Sequence, residues 1–167
     1  IDGAFAIIIL DRKKKQLFVA RDTIGVKPLY YYRNNSFFAF SSEIKGLLKF
    51  PISKKINRQA LNGYFRCGYL KEEETFFENI YNFKPQHYLL IDINSGNFIE
   101  KQFSPYKEKD IYVPEDEPSI LLKLEELITD SILKRNVSDV NVGVPLSGGY
   151  DSSTVAAILQ KNQTKKL

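Results

Sequence analysis

Residues 144–154 read VPLSGGYDSST and combine two adjacent glycines with hydroxyl side chains and an acid. Glycine allows a backbone to turn sharply or to approach a ligand closely. A helical pattern follows, and a helix N-terminus offers unpaired N–H groups and a partial positive charge. This combination favours anion binding, and a diphosphate or triphosphate suits donors that converge from a turn and a helix.

Asp151 does not suit a bare anion site, because its negative charge would repel a phosphate group. It does suit a site in which it holds Mg²⁺, a cation that takes oxygen ligands and bridges to substrate phosphates. The segment has neither the lysine of the Walker sequence nor the G-x-G-x-x-G spacing of dinucleotide sites. A plain helix cap after a turn is the alternative interpretation of the same residues.

The elements around this loop have the order helix, strand, loop, helix. Residues 119–135 place apolar side chains on one stripe of an amphipathic helix. The run VNVGVPL, residues 140–146, predicts a buried strand, and TVAAILQK, residues 154–161, predicts a second helix. This order predicts the start of a parallel α/β sheet.

The first hundred residues have a different pattern, in which apolar runs flank short polar turns. Three antiparallel hairpins are predicted, formed by residues 3–10 with 16–22, 29–32 with 37–41, and 88–93 with 97–103. Ser41 or Ser42 is predicted to cap a short helix that ends before Pro51, and residues 56–70 predict another helix. Within that helix, Cys67 is predicted to be a buried structural thiol.

The composition excludes several classes of protein. Lys and Arg outnumber Asp and Glu by 24 to 20, and this thin excess does not form the basic stripe of a nucleic-acid-binding protein. No apolar run reaches the roughly 20 residues that cross a bilayer. A single cysteine excludes an intramolecular disulfide framework and fits a reducing compartment, so a cytoplasmic location is expected.

Two motifs carry a resemblance to known families. LSGGYDSS resembles the pyrophosphate loop, SGG-x-DS, of the ATP-pyrophosphatase superfamily, and alone it also fits GMP synthetase, argininosuccinate synthetase and tRNA-modifying enzymes. The stretch ARDTIGVKPLYY, followed by FAFSSEIKGLL, resembles the latter part of a class II glutaminase domain of the N-terminal-nucleophile type. Their order resembles the glutamine-hydrolysing asparagine synthetase family, from residue 2 to about residue 160.

The resemblance implies a fold and a domain organisation. Residues 1–103 would be the C-terminal part of an α+β glutaminase domain with an antiparallel sandwich. Residues 104–118, with three prolines and seven charges, would be a linker. Residues 119–167 would begin an α/β ATP-pyrophosphatase domain with a parallel sheet. We therefore expect the chain to be an interior part of a longer enzyme and to have neither activity alone.

The resemblance also implies roles for individual residues. The backbone of Leu146 would line the ATP pocket, and Asp151 would hold Mg²⁺. The pyrophosphate would be held by Ser147, Gly148, Gly149 and Ser152. No catalytic residue is expected within the chain, because the N-terminal cysteine nucleophile of the family is not among its residues. A set of motif residues is expected to act as scaffold rather than as ligands: Arg21, Asp22, Gly25, Lys27 and Pro28.

The substrates implied are glutamine, aspartate and ATP, and the resemblance allows a homodimer of the whole enzyme. The expected reaction is adenylation of aspartate followed by amidation with ammonia from glutamine. Two alternatives stay open at this point. One is a related amidotransferase acting on a sugar, a peptide or a β-lactam precursor, and the other is a non-catalytic relative.

Overall fold

The computed structural model describes residues 1, 3–34, 37–104 and 116–163. The chain divides into two compact units, Ile1–Glu108 and Lys109–Leu167. The described part of unit 1 contains β1 (Ala6–Asp11), β2 (Gln16–Arg21), β3 (Tyr30–Arg33), β4 (Phe38–Ser41), α1 (Ile44–Leu47), α2 (Arg58–Cys67), β5 (Ile80–Asn82), β6 (His87–Asp92) and β7 (Phe98–Gln102). The described part of unit 2 contains α3 (Glu117–Arg135) and α4 (Tyr150–Lys161).

All three predicted hairpins are confirmed as antiparallel pairs, β1 with β2, β3 with β4, and β6 with β7. Their polar turns are closed by side-chain acceptors. The Asp11 carboxylate accepts hydrogen bonds from the N–H groups of Lys13 and Lys14, at 3.0 and 2.9 Å. In the last turn, the Asp92 carboxylate accepts from the Ser95 N–H at 2.8 Å. These local bonds explain why charged segments separate the apolar runs so sharply.

The strands of unit 1 form two antiparallel sheets, ordered β1-β2-β6-β7 and β4-β3-β5. Buried side chains from both sheets meet in one apolar core, which consists of Val19, Leu29, Phe83, Leu89 and Ile91, with Phe38, Phe40 and Phe98 packed against it. A second core lies on the other face of the smaller sheet, where Tyr32 and Ile80 pack with Leu47 of α1. Unit 1 is therefore a pair of antiparallel sheets with a few helices, as a glutaminase domain was expected to be.

Strand β5 was not predicted. It has only three residues, too few for an alternating pattern, and it forms because β3 offers it an edge: Tyr31 pairs with Tyr81, and Tyr32 with Ile80. The buried Thr75 hydroxyl donates to the Ile80 carbonyl at 2.7 Å and fixes the approach to the strand.

Two predictions about the helices of unit 1 are wrong. The N-cap of α1 is Glu43, because Ser41 is the last residue of β4 and its hydroxyl reaches only the Glu43 N–H, at 3.3 Å. Cys67 is exposed, because α2 buries only Ala60 and Cys67 lies at the free C-terminal end of the helix. The helix itself is confirmed.

In unit 2 both predicted helices are confirmed. Helix α3 begins at Glu117, within the predicted linker, and its N-cap Asp116 accepts from the Ser119 N–H at 2.8 Å. The rest of that linker, residues 105–115, lies outside the described residues. No described helix of the chain is both long and apolar enough to span a bilayer.

The buried strand predicted over residues 140–146 is wrong for this structure. No strand is assigned among the described residues of unit 2, and Val140 and Leu146 are exposed. A parallel strand takes its hydrogen bonds from neighbouring strands, and no described strand of unit 2 lies beside this segment. It therefore runs as an irregular connection from α3 to the loop before α4.

The side chains of Arg21 and Asp22 are buried and bind the chain's own backbone. Asp22 Oδ1 accepts from the Val26 N–H at 2.9 Å, and Asp22 Oδ2 accepts from the Lys27 N–H at 3.0 Å and the Phe5 N–H at 3.3 Å. Burial raises the pKa of the Asp22 carboxyl, but these donors favour its charged form, so the pKa lies below its ordinary value.

The Arg21 guanidinium satisfies carbonyl groups on both sides of the same loop. Its Nε donates to the Lys27 carbonyl at 2.8 Å, and one terminal nitrogen donates to the Gly25 carbonyl at 2.8 Å. The other terminal nitrogen donates to Asn82 Oδ1, at 2.9 Å, and to the Phe83 carbonyl. Arg21 thus joins the end of β2 to the end of β5.

We predict that Asp22→Asn lowers the free energy of unfolding of unit 1 by about 2 kcal/mol. The amide nitrogen of asparagine cannot accept hydrogen bonds, so the N–H groups that bind one carboxylate oxygen lose their acceptor in a buried position. Urea unfolding measures the change. The matched control is Glu78→Gln, an exposed carboxylate in the same unit, with an expected change within about 0.5 kcal/mol.

The same variant has an expected pH dependence. Because the folded pKa of Asp22 lies below 3.8, its charged form stabilises the fold above the unfolded pKa. That contribution disappears as the pH falls through the folded pKa, so the difference between wild type and Asp22→Asn should shrink below pH 3.8. A difference that grew with acidity would contradict the assigned role of the carboxylate.

We predict a larger cost for Gly25→Ala than for Gly96→Ala. Both glycines have positive φ, +74° and +71°, which costs an alanine about 1 kcal/mol. At Gly25 the new Cβ would also lie 2.8 Å from Pro85 Cγ, whereas at Gly96 no heavy atom lies within 4 Å. Urea unfolding should give losses of about 3 and about 1 kcal/mol. Equal losses would show that the contact with Pro85 relaxes without cost.

Candidate functional site

The loop singled out from the sequence leads directly into α4. Gly149 is the N-cap, with extended φ and ψ of −83° and 163°, and its carbonyl accepts the first helical hydrogen bond from the Ser153 N–H at 3.2 Å. The N–H groups of Tyr150, Asp151 and Ser152 precede that bond and have no helical acceptor. A helix N-terminus with free donors therefore follows the glycines, as predicted.

Gly148 makes the turn. Its φ is +82°, and no heavy atom lies within 4 Å of the position where a Cβ would stand. Among the described residues, a larger residue at Gly148 would therefore meet backbone strain rather than a clash of its Cβ.

The two serines of the loop bind each other. Ser147 Oγ and Ser152 Oγ are 3.0 Å apart, and the Ser147 N–H donates to Ser152 Oγ at 3.3 Å. Longer contacts complete the arrangement: the Gly149 N–H reaches Ser147 Oγ at 3.4 Å, and Ser152 Oγ reaches the Gly149 carbonyl at 3.3 Å. The structure therefore brings Ser147, Gly148, Gly149 and Ser152 together in one turn.

Asp151 lies in the first turn of α4 and is exposed. Its carboxylate has no hydrogen-bond or ion-pair partner within the described ranges. No group of three or more His, Cys, Asp and Glu side chains able to hold a metal occurs among the residues the structure describes. The Asp151 carboxylate fits a Mg²⁺ site in which a bound phosphate supplies the other oxygen ligands, since Mg²⁺ is commonly held by one or two carboxylates plus substrate oxygens.

Leu146 and Tyr150 lie on either side of this turn. Leu146 is 67% exposed and Tyr150 is 95% exposed. Among the described residues the Tyr150 side chain is therefore almost fully exposed, while its carbonyl accepts from the Thr154 hydroxyl at 2.8 Å. At the start of α4 the backbone of Tyr150 is hydrogen-bonded, whereas its aromatic ring is exposed to solvent.

A polar cleft in unit 1, not predicted from the sequence, is lined by residues that include Tyr31, Arg33, Tyr81 and Glu100. These residues come from three strands separated by up to 69 positions in the sequence, as the numbering from Tyr31 to Glu100 shows. No short motif joins them, so only the pairing of the strands could have revealed the cleft.

Comparison with known proteins matches both parts of the chain. The family described as "Glutamine amidotransferase domain" matches residues 1–104, and the family described as "Asparagine synthase" matches residues 123–167. The chain is similar to "Putative asparagine synthetase [glutamine-hydrolyzing] 2" of Methanocaldococcus jannaschii, with 37% identity over 164 residues that cover 96% of this chain and 31% of the relative.

Two further relatives have similar names. "Asparagine synthetase [glutamine-hydrolyzing] 3" of Bacillus subtilis is 35% identical over 160 residues, covering 95% of this chain and 25% of the relative. "Asparagine synthetase [glutamine-hydrolyzing]" of Gallus gallus is 31% identical over 176 residues, covering 96% of this chain and 28% of the relative. The chain thus spans between a quarter and a third of the length of these relatives. With most of its length matched and its two sheets arranged as described, the chain belongs to the glutamine amidotransferase domain family, and its residues 123–167 match the asparagine synthase family.

Proposed function

We propose that this chain is part of a glutamine-hydrolysing asparagine synthetase and that residues 146–152 bind the pyrophosphate portion of ATP. The observation that carries the proposal is the order of the two matches. An amidotransferase domain supplies ammonia from glutamine, and an asparagine synthase segment with the SGGYDSS loop follows it in the same chain. The names of the relatives support the same pair of activities.

The proposed reaction has two steps after glutamine has released ammonia. The β-carboxylate of aspartate attacks the α-phosphorus of ATP, and the bond between the α-phosphorus and its bridging oxygen to the β-phosphate breaks. Pyrophosphate leaves, and β-aspartyl-AMP forms. Ammonia then attacks the activated carbonyl, AMP leaves, and asparagine is the product. Each step transfers one group and needs no oxidant or reductant.

The loop would act on the pyrophosphate. The N–H groups at the start of α4 have no helical acceptor, and no heavy atom lies within 4 Å of the position of a Cβ at Gly148. Ser147 and Ser152 would add hydroxyl donors by exchanging their mutual hydrogen bond for bonds to phosphate oxygens. The backbone of Leu146 would line the adjoining part of the ATP pocket. Preorganised donors of this kind stabilise the charge that develops on a leaving pyrophosphate.

Asp151 would hold Mg²⁺ together with phosphate oxygens. When bound, the cation would neutralise negative charge on the leaving group. The carboxylate itself would otherwise oppose phosphate binding, because it lies in the same helical turn as the free N–H groups. Asp151 therefore has a clear use in this site only as a ligand of a cation.

We also propose the finer fold and the domain limits. Residues 1–103 would end a glutaminase domain of the N-terminal-nucleophile type, residues 104–118 would connect the domains, and residues 119–167 would begin an ATP-pyrophosphatase domain. The family matches, which end at residue 104 and resume at residue 123, support these limits.

A cytoplasmic enzyme and a homodimer fit this proposal. A single cysteine, which is exposed on α2, suits a reducing compartment. The substrates would be glutamine, aspartate and ATP, without a nucleic-acid or membrane partner.

The proposal predicts that the intact protein converts aspartate, glutamine and ATP into asparagine, AMP and pyrophosphate. Asp151→Asn should lower the rate of AMP formation by about 100-fold or more, because the variant keeps the size of the side chain but loses the anionic ligand. Chromatographic measurement of AMP and asparagine checks both statements.

The control is Ser153→Ala, which alters a neighbouring exposed hydroxyl outside the pair formed by Ser147 and Ser152 and should change the rate less than threefold. Formation of ADP in place of AMP would contradict the assignment of the loop. Formation of AMP without consumption of aspartate would show that another compound is the acceptor. Unchanged AMP formation by Asp151→Asn would contradict the role of that carboxylate.

A further inference from the structure

The polar cleft of unit 1 has a volume of about 650 Å³. Its walls come from strands β3, β5 and β7 and from the segments before β5, and they include Tyr31, Arg33, Glu73, Asn79, Tyr81 and Glu100. The volume lies in the range of pockets that bind small molecules, roughly 300–1,000 Å³. Arg33, Tyr31 and Tyr81 in these walls make no side-chain hydrogen bond within the described part of the chain.

Arg33 is the first of these groups. Its guanidinium lies 4.5 Å from the centre of the Phe98 ring. In the part of the chain that the structure describes, this guanidinium makes no hydrogen bond and no ion pair. A cation held over an aromatic face is oriented without using its N–H donors. Arg33 therefore presents a fixed and unused set of donors to an anionic group.

The two tyrosines form the second feature. Tyr31 and Tyr81 are directly opposite each other across β3 and β5, and their ring centres are 5.2 Å apart. Burial, together with the negative charges of Glu100 and Glu73, raises the pKa of Tyr31 to about 12. The Tyr31 hydroxyl is thus protonated at neutral pH. Neither phenol has a hydrogen-bond partner within the described ranges, so both offer hydroxyl groups to a ligand.

The two carboxylates of the cleft, Glu73 and Glu100, differ in how closely Lys84 approaches them. Lys84 Nζ lies 2.6 Å from Glu73 Oε1 but 3.8 Å from Glu100 Oε1. Glu73 is therefore committed to a short ion pair. Glu100 is held by a weaker contact and, since a carboxylate has about four acceptor sites, retains capacity for a second cationic donor.

We propose that this cleft binds a small zwitterion with one carboxylate and one ammonium group, that is, a free α-amino acid. The guanidinium of Arg33 and the hydroxyl of Tyr31 bind the carboxylate, and Glu100 accepts from the ammonium group. The aromatic faces of Tyr31 and Tyr81 contact the remainder of the ligand. This site is separate from the loop of unit 2, and the inference does not depend on the proposed function.

The charges of the cleft select this class of ligand over simpler ions. An anion alone would be repelled by Glu73 and Glu100, and a cation alone would be repelled by Arg33 and would compete with Lys84. A zwitterion offers each charged wall its opposite charge and keeps the ligand neutral overall. Repulsion between like charges would disfavour simple ions in this cleft. The class of ligand is therefore determined by repulsion as well as by attraction.

The test is an NMR titration of the full chain with L-asparagine as the probe, observing the ring signals of tyrosine. We expect saturable shifts of the Tyr31 and Tyr81 signals in the millimolar range. Arg33→Gln and Glu100→Gln should each weaken binding tenfold or more, because each removes one charged hydrogen-bonding partner. Arg66→Gln, which removes an exposed charge of α2 outside the cleft, should leave the affinity unchanged.

Acetate and methylamine, each of which carries only one of the two charged groups, are the comparison ligands. The proposal is overturned if L-asparagine gives no saturable shift at about 50 mM, or if Arg33→Gln binds as tightly as wild type. It is also overturned if either comparison ligand binds as tightly as the amino acid. Circular dichroism confirms folding of the variants, and because Arg33 and Glu100 are exposed, both should fold normally.

Discussion

The buried side chains of Arg21 and Asp22 satisfy the backbone of the loop between β2 and β3, and the two sheets of unit 1 depend on that loop. A chain that turns through residues 22–28 leaves N–H and carbonyl groups without strand partners, and those that face Arg21 and Asp22 are partly buried, where unpaired groups are costly. The carboxylate of Asp22 takes the N–H groups, and the guanidinium of Arg21 takes the carbonyls. Because Arg21 also binds Asn82 and Phe83, it links the larger sheet to the smaller one. The loop can therefore leave one sheet and enter the other without burying an unsatisfied group.

The arrangement of the strands could be predicted from the sequence only where interactions are local. Each hairpin joins two apolar runs through a turn of a few residues, and the turn chemistry is visible in the letters, as with Asp11 before three lysines or Asp92 before Ser95. Strand β5 has no such signal, since its three residues become a strand only by pairing with β3. Cys67 was misjudged for a related reason: the helical pattern identifies α2, but not how little of it packs against the rest of the unit.

The same distinction between local and non-local interactions applies to the candidate site, where the loop and the start of α4 are local and the segment before them is not. The turn at Gly148 and the start of α4 form from residues within a few positions of one another, and both were expected from the sequence. The hydrogen bond between Ser147 and Ser152 is equally local but was not predicted. The strand expected before them needs neighbours in a parallel sheet, and apolar composition cannot supply these. Residues 140–146 are an irregular segment here, with Val140 and Leu146 exposed. The polar cleft of unit 1 is another non-local feature, because its walls come from β3 and β5 of the smaller sheet and from β7 of the larger sheet.

The hydrogen bonds of the loop at residues 146–152 give a physical reason why it would prefer an anionic ligand such as pyrophosphate. Without an anion, one of the hydroxyls of Ser147 and Ser152 donates to the other at 3.0 Å, and Ser152 Oγ lies 3.3 Å from the Gly149 carbonyl, so these are neutral bonds in an exposed position. Such bonds contribute little net stability, whereas a hydrogen bond to a charged phosphate is roughly twice as strong as a neutral one. Replacing the bond between the serines with bonds to phosphate oxygens would therefore favour anion binding. The first N–H groups of α4 have no helical acceptor, so they would bind the anion without breaking a helical hydrogen bond. A neutral ligand of the same size would break the bond between the two serines without gaining a charge-assisted hydrogen bond, so in the proposed site the loop would select its ligand by charge before shape.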